Sequence, residues 1–133
     1  MIIDANDLVV GRLASFVAKN ALLGEKIDIV NSEKAVVIGS PKNILANYKQ
    51  LRARGDAMYG PYFPRTPERI LKRTIRGMLP HKHTRGKDAF KSIKCYKGIP
   101  ARFQDQSTST IEKAKRTADK LKFMSLQRIS ELL

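Results

Sequence analysis

The chain has 133 residues, which suits one ordinary domain and leaves no room for a second core. Hydrophobic residues make up 42% and charged residues 29%, a composition that folds rather than staying disordered. The formal net charge of +14 predicts a polyanionic partner. Cys95 is the only cysteine, so an intrachain disulfide is excluded and a reducing, cytoplasmic compartment is expected. A membrane span and a secretion signal are not expected, because long apolar runs are missing.

The positive charge is concentrated in the middle of the chain. Residues 1–41 carry four Lys and Arg against five Asp and Glu, and residues 103–133 carry six against four. Residues 42–102 carry sixteen against three. Because one contiguous segment holds nearly all the excess, residues 42–102 predict a binding site rather than a general solubility charge.

Apolar periodicity predicts alternating strands and helices in the first half of the chain. In chain order we expect a strand at Met1–Asp4, a helix from Gly11 to about Leu23, strands at Lys26–Val30 and Ala35–Ile38, and a helix from Ser40-Pro41 to about Arg54. Short connections between such elements are typical of layered α/β domains. We therefore expect residues 1–133 to form a single α/β domain with an at least partly parallel sheet.

Residues 55–67 break this pattern, because two glycines and three prolines fall within thirteen residues. Tyr59, Tyr62 and Phe63 lie in this loop together with Arg65. Two interpretations stay open for these aromatic side chains. They pin the loop to the body of the domain, or one of them stacks on a nucleic-acid base.

Thr66-Pro67 begins a helix that is expected to run to about Leu79. One side of its helical wheel is apolar, with Ile70, Leu71, Thr74, Ile75, Met78 and Leu79. The opposite side carries four cations with no acid among them: Arg69, Lys72, Arg73 and Arg76. A solvated helix gains from alternating charges and loses from like charges, so this face predicts a polyanion that neutralises it.

Pro80 ends that helix, and the polar, basic residues 81–87 predict a loop. A short helix with apolar contacts at Ala89, Phe90 and Ile93 follows, and then a strand at Lys94–Lys97. Near the C-terminus, residues 104–110 predict a loop and residues 125–133 a helix.

The predicted nucleic-acid contacts come from the helix and the two segments that flank it. Guanidinium groups suit bidentate phosphate contacts, and most of these cations are arginines. His81 and His83 are too few to close a zinc site, and we expect them to be structural or to contact phosphate. The full predicted set is Arg52, Arg54, Arg65, Arg69, Lys72, Arg73, Arg76, His81, Lys82, His83, Arg85 and Lys87.

The sequence does not favour an enzyme. Gly11 stands alone where a dinucleotide-binding turn needs three glycines, and a phosphate-binding loop motif is also missing. The only candidate catalytic acids, Asp4, Asp7 and Asp28, are explained by capping or turn roles. Cys95 is expected in the core. We expect no cofactor, no metal and no small-molecule substrate. A free-standing RNA- or DNA-binding regulator and a nucleotide-using enzyme are the alternatives to a structural RNA-binding protein.

Several blocks of sequence resemble a known family. The central block is Arg76-Gly77-Met78-Leu79-Pro80-His81-Lys82 with Arg85-Gly86, flanked by Gly60-Pro61-Tyr62 and by Lys94-Cys95-Tyr96-Lys97-Gly98-Ile99-Pro100, and Val10-Gly11-Arg12-Leu13-Ala14-Ser15 lies upstream. These blocks are similar to those of the large-subunit ribosomal protein L13 family, in its archaeal and eukaryotic branch. The resemblance covers about residues 1–100 and is weak in the tail. His83-Thr84 replaces the Thr-Lys of the family pattern.

The resemblance implies a three-layer α/β/α domain with about four mostly parallel strands and no catalytic residues. It also implies a structural constituent of the large ribosomal subunit that binds large-subunit rRNA and supports early subunit assembly. The implied partners are that rRNA and neighbouring large-subunit proteins, in the cytoplasmic ribosome.

Overall fold

The computed structural model describes residues 1–117 and 120–133. Five helices and five strands are present in these residues. They are β1 (Ile2–Asp4), α1 (Val10–Leu22), β2 (Ile27–Val30), β3 (Val36–Ile38), α2 (Pro41–Ala53), α3 (Pro67–Gly77), α4 (Thr84–Lys91), β4 (Ile93–Cys95), β5 (Phe123–Ser125) and α5 (Leu126–Leu132). The predicted α/β class is therefore confirmed.

The strands form a parallel sheet in the order β1–β2–β4 and a separate antiparallel pair, β3 with β5. This division differs from the single sheet of about four strands that was expected. The reason is β5, a three-residue strand in the C-terminal tail that was not predicted and that pairs with β3. The connection from β1 to β2 contains α1, and the connection from β2 to β4 contains α3. Both connections lead to the next strand on the same side, so right-handed crossovers place α1 and α3 on one face of the sheet.

Alternate residues of the parallel strands point to opposite faces of the sheet. Ile3, Ile27, Ile29 and Ile93 are fully buried and share one core with the buried residues of α1 and α3. On the opposite face, Asp28 and Lys94 are register partners, and neither is buried. The sheet thus has one closed face beneath the helices and one partly open face.

The acids near the strand ends have structural partners. Asp4 accepts hydrogen bonds from the Asn6 backbone N–H and from Asn31 Nδ2, both at 3.0 Å. Asp7 lies 3.3 Å from the Arg116 guanidinium. Buried Glu33 accepts a 3.0 Å hydrogen bond from the backbone N–H of Gly98. The contact of Asp4 with Asn6 agrees with the predicted turn role, and Asp7 lies in a turn as predicted while it also makes an ion pair with the tail. Asp28 lies within β2, so the prediction for this acid was wrong. No helix in the described part of the chain is long and apolar enough to cross a membrane.

Candidate nucleic-acid interface

Helix α3 has one apolar and one cationic side. Ile70, Leu71 and Ile75 are at most 1% exposed and anchor the helix in the core. Met78, the C-cap residue of α3, was predicted to face inward but is 43% exposed, whereas Leu79 beside it is buried as predicted. The sulfur of Met78 accepts a hydrogen bond from Ser15 Oγ of α1 instead. The helix is therefore shorter than predicted by about two residues, and its two-sided character is confirmed.

The cationic side of α3 rests on aromatic rings that hold two of its side chains in place. Lys72 Nζ lies 4.9 Å from the centroid of the Phe90 ring of α4. The Arg73 guanidinium lies 6.0 Å from the centroid of the Phe63 ring. Phe63 in turn packs edge-on against Tyr48 of α2, with centroids 6.0 Å apart. Such contacts restrict long side chains while their charged ends remain available to a partner.

None of the four cations of α3 lies within 4.0 Å of a carboxylate in the described residues. The helix does contain one acid, Glu68, in its first turn. Glu68 Oε2 is buried and has no hydrogen-bond partner among the described residues. The acid lies at the border of the cationic side, so the exposed face itself remains uncompensated.

The end of α2 and the loop after it extend this surface. A cavity of about 270 Å³ is lined by Arg52, Arg54 and Arg65 together with Tyr62 and Phe63. A second of about 270 Å³ shares Arg54 and Phe63 with the first and adds Arg73. A third of about 230 Å³ shares Arg73 and adds Arg69, Lys72, Arg76 and Phe90. The structure therefore brings seven of the predicted cations onto one continuous surface.

The loop between α2 and α3 is folded on itself and leaves the rings of two tyrosines, Tyr59 and Tyr62, exposed to solvent. Asp56 and Gly60 exchange backbone hydrogen bonds of 3.1 and 2.8 Å, and the Tyr62 hydroxyl donates to the Ala57 carbonyl at 2.7 Å. Tyr59, at the tip, is 87% exposed. Gly55 is required here because an added Cβ would lie 2.5 Å from the Gly60 carbonyl. Tyr62 and Phe63 thus hold the loop together, and Tyr59 has no such contact with a ring or core residue in the described structure.

The segment after α3 is a tight turn into α4 rather than a basic loop up to residue 87. Helix α4 begins at Thr84, so Arg85 and Lys87 are helical and the prediction of a loop there was wrong. Helix α4 can begin this early because Gly86 packs directly against Pro80 in the turn that follows α3. A Cβ at Gly86 would lie 2.1 Å from the Pro80 carbonyl oxygen, so only glycine allows α4 to begin against that turn.

The remaining predicted contacts lie on this turn and on the first half of α4. Lys82, His83, Arg85 and Lys87 are exposed, and His81 is half-buried. They contribute to none of the three cavities described above. The predicted set therefore separates into a continuous seven-residue surface, which we call the α3 surface (Arg52, Arg54, Arg65, Arg69, Lys72, Arg73 and Arg76), and a separate group of five residues on the turn and at the start of α4.

The aromatic support of the α3 surface was not predicted. Phe90 was expected only as an apolar contact of its own helix, and Phe63 only as a loop anchor or a stacking group. No local pattern shows that each ring lies beneath a cation of another helix. A different group matches its expectation: Cys95 packs against the core, and burial raises the pKa of its thiol to about 12. The thiol therefore stays protonated at neutral pH, as is typical of a core cysteine.

A family model described as ribosomal protein L13 matches residues 1–102. The large ribosomal subunit protein uL13 of Methanosarcina barkeri is 51% identical over 132 residues, which cover 98% of this chain and 94% of that protein. The uL13 protein of Archaeoglobus fulgidus is 42% identical over 134 residues, covering 99% and 86%. Both alignments extend into the tail, beyond residue 102 where the family model ends. The chain belongs to the ribosomal protein L13 family.

Proposed function

We propose that the chain is a structural constituent of the large ribosomal subunit and binds large-subunit rRNA through the α3 surface and the turn after it. Support comes from its family, whose relatives bear the name of large-subunit proteins, and from its uncompensated cations. The proposal includes a role in early subunit assembly beside neighbouring large-subunit proteins of the cytoplasmic ribosome. It includes no catalytic activity.

The main support for this proposal is the cationic side of α3. Four like charges on adjacent turns of one helix destabilise it, since pairs four residues apart repel. RNA phosphates relieve this repulsion and accept charge-assisted hydrogen bonds from arginine and lysine. Because Lys72 and Arg73 are already held on Phe90 and Phe63, less side-chain entropy is lost on binding. The surface is therefore partly organised before RNA arrives.

The loop tip adds a finer element to the proposal. Tyr59 is the most exposed of the three loop aromatics, at 87% against 68% for Tyr62, and the Tyr62 hydroxyl is held by the Ala57 carbonyl, so Tyr59 is the first candidate to stack on an RNA base. Arg52, Arg54 and Arg65 line the cavity at the base of the same loop and would hold the adjacent phosphates. Stacking on an aromatic ring accepts any base, so this contact positions the RNA without reading its sequence.

The test replaces Arg69, Arg73 and Arg76 together by Gln and measures binding to large-subunit rRNA at several salt concentrations. We expect affinity to fall on the order of 100-fold at 0.1 M salt, because three charge-assisted contacts are lost. The slope of log affinity against log salt should become shallower by about 0.7 to 0.9 for each phosphate no longer neutralised.

The matched control is Lys113→Gln, Lys120→Gln and Lys122→Gln, which removes three exposed charges from the tail. It should keep most of the affinity. Equal losses in both triple variants would contradict the proposed surface. On a sucrose gradient the native protein should sediment with large subunits, whereas a free-standing regulator would remain near the top.

A further inference from the structure

A second cationic cluster lies on the open face of the parallel sheet, in a cavity of about 350 Å³. Four cations and a single carboxylate line it, together with Ser92, Phe103 and Gln106. The charged residues are Lys26, Asp28, Lys91, Lys94 and Arg102. None of these four cations belongs to the predicted contact set. We call this group the sheet-face cluster.

The sheet-face cluster and the α3 surface lie on opposite sides of the sheet. Asp28 and Lys94 are paired across β2 and β4, so their side chains share one face. The adjacent residues Ile93 and Cys95 point the other way, into the core beneath α3. Ile70, Leu71 and Ile75 of α3 belong to the same core as Ile93, so α3 covers this face of the sheet. The sheet therefore separates the two groups of cations.

The single carboxylate of the cluster is already occupied. Asp28 accepts a hydrogen bond of 3.3 Å from the Tyr96 hydroxyl and lies 3.7 Å from the Arg102 guanidinium. That guanidinium also lies 4.4 Å from the centroid of the Phe103 ring and 5.1 Å from that of Tyr96. Arg102 is thus fixed at the wall of the cavity, with its side chain still 54% exposed.

The lysines of the cluster remain without strong partners. Neither Lys26 nor Lys94 lies within 4.0 Å of a carboxylate in the described residues. Lys91 approaches only Asp88, at 3.9 Å, and both side chains are largely exposed, so that pair is weak. Three lysines around one held arginine leave an excess of positive charge that nothing in the described chain neutralises.

We propose that the sheet-face cluster binds backbone phosphates of a second rRNA segment, so that the protein bridges RNA on both sides of its sheet. This inference rests on the proposed function, which supplies RNA as the partner. Ammonium groups bind phosphate as point charges and the held guanidinium can bind it as a fork. The cluster offers no group that reads bases, so its contacts fix the distance between two segments rather than a sequence. Such a bridge gives a small domain a direct role in assembly.

The first test is the double variant Lys91→Gln and Lys94→Gln, which leaves Arg102 and its stacking intact. The probe is transcribed large-subunit rRNA of Methanosarcina barkeri, whose family member is 51% identical to this chain. If both lysines neutralise phosphates, the log–log salt slope should become shallower by about 1.4 to 1.8. The control is Lys113→Gln with Lys122→Gln, which should leave the slope unchanged. An unchanged slope in the sheet-face variant overturns the proposal.

The second test locates the two RNA segments. A photocrosslinking amino acid is placed at position 94 in one protein and at position 69 in another, and the crosslinked nucleotides are mapped on the assembled RNA. Crosslinks to two segments that are separate in the rRNA sequence support a bridge. Crosslinks from position 94 to the same segment, to a protein, or to nothing overturn it. If position 69 also fails to reach RNA, the proposed function fails as well, so the two failures are distinguishable.

Discussion

Residues 1–41 and residues 42–102 contribute to one core, yet they use their charges in different ways. In the first region the acids have partners within the protein: Asp4 with Asn31, Asp7 with Arg116, and Glu33 with the backbone of Gly98. In the second region the α3 surface has no carboxylate within 4.0 Å in the described structure. These three acids of the first region therefore help to hold the fold, whereas the cations of the α3 surface are left for an external polyanion.

Helix α3 contains this contrast within eleven residues. Its buried side is part of the hydrophobic core, so removing an apolar side chain there would leave a cavity. Its other side carries the cations of the proposed RNA surface, and removing one of them leaves the core unchanged. Substitutions on the two sides of this helix should therefore separate stability from binding.

The largest effect is expected for Ile75→Ala on the buried side. Ile75 is fully buried, and truncation of such a side chain lowers the free energy of unfolding by about 2 to 5 kcal/mol. Its neighbour Arg76→Gln, on the other side of the helix, should change that free energy by no more than about 0.5 kcal/mol. Urea unfolding of the two variants measures both values.

The same pair should behave in the opposite way in binding. Under conditions where both variants are folded, Arg76→Gln should make the salt slope for rRNA shallower, and Ile75→Ala should not. A shallower slope for Ile75→Ala would show that the two sides of α3 are not independent, and the contrast between body and surface would be lost.

The next effect is expected at the turn between α3 and α4. Gly86→Ala places a Cβ 2.1 Å from the Pro80 carbonyl oxygen, so backbone must move, at a cost of about 1 to 3 kcal/mol in the free energy of unfolding. Gly77→Ala is the matched control, since nothing lies within 4 Å of its added Cβ. Because alanine restricts the unfolded chain, this variant should be unchanged or more stable by up to about 1 kcal/mol.

Thermal unfolding compares the two glycine variants directly. Equal stability of both variants would mean that α4 does not depend on close approach to Pro80. The positions of Arg85 and Lys87 would then also need revision, because the helix start fixes where these cations lie.

A smaller effect is expected at the loop tip. Tyr59→Ala should weaken rRNA binding by about fivefold or more, the lower end of what a base–aromatic stack contributes. Stability should not change, because Tyr59 is 87% exposed. Tyr59→Phe is the control and should keep the affinity, since stacking needs the ring and not the hydroxyl. Full affinity of Tyr59→Ala would show that Tyr59 does not stack on a base.

A secondary-structure element could be predicted from the sequence where neighbouring residues carry its pattern, and not where it depends on residues far apart in the chain. The two sides of α3 follow from a 3.6-residue period, so residues 66–79 alone were enough. The strand β5 was missed because its three residues carry no period, and its partner Val36 pairs with Ser125 far along the chain. The start of α4 was misplaced because Gly86 looks like a loop residue until Pro80 is seen beside it.

The site shows the same limit. Each cation of the α3 surface could be identified from its residue type. That the cations share one surface could not be predicted, because Arg54 and Arg73 are brought together by packing around Phe63. The sheet-face cluster was missed for a similar reason. Lys26 and Arg102 lie at distant points in the chain, and only the pairing of β2 with β4 brings Lys26 near Lys94.

The smallest effect is expected for Cys95. It lies in the basic segment 42–102, but its side chain packs against the hydrophobic core. Burial raises the pKa of its thiol from 9.0 to about 12, against a smaller lowering by Lys72. The unfolded chain therefore loses this proton above pH 9 while the folded protein keeps it. Ionisation then favours the unfolded state, so stability falls as the pH rises through this range.

The measurement compares the natural protein with Cys95→Ala at pH 7.5 and pH 9.5. The alanine variant lacks this proton, so the difference in unfolding free energy between the two proteins should shift by about 1 kcal/mol in favour of the variant at the higher pH. Other titrating groups cancel because both proteins share them. If the difference in unfolding free energy is the same at both pH values, the pKa of the thiol is not raised by burial, and Cys95 is not held in the core.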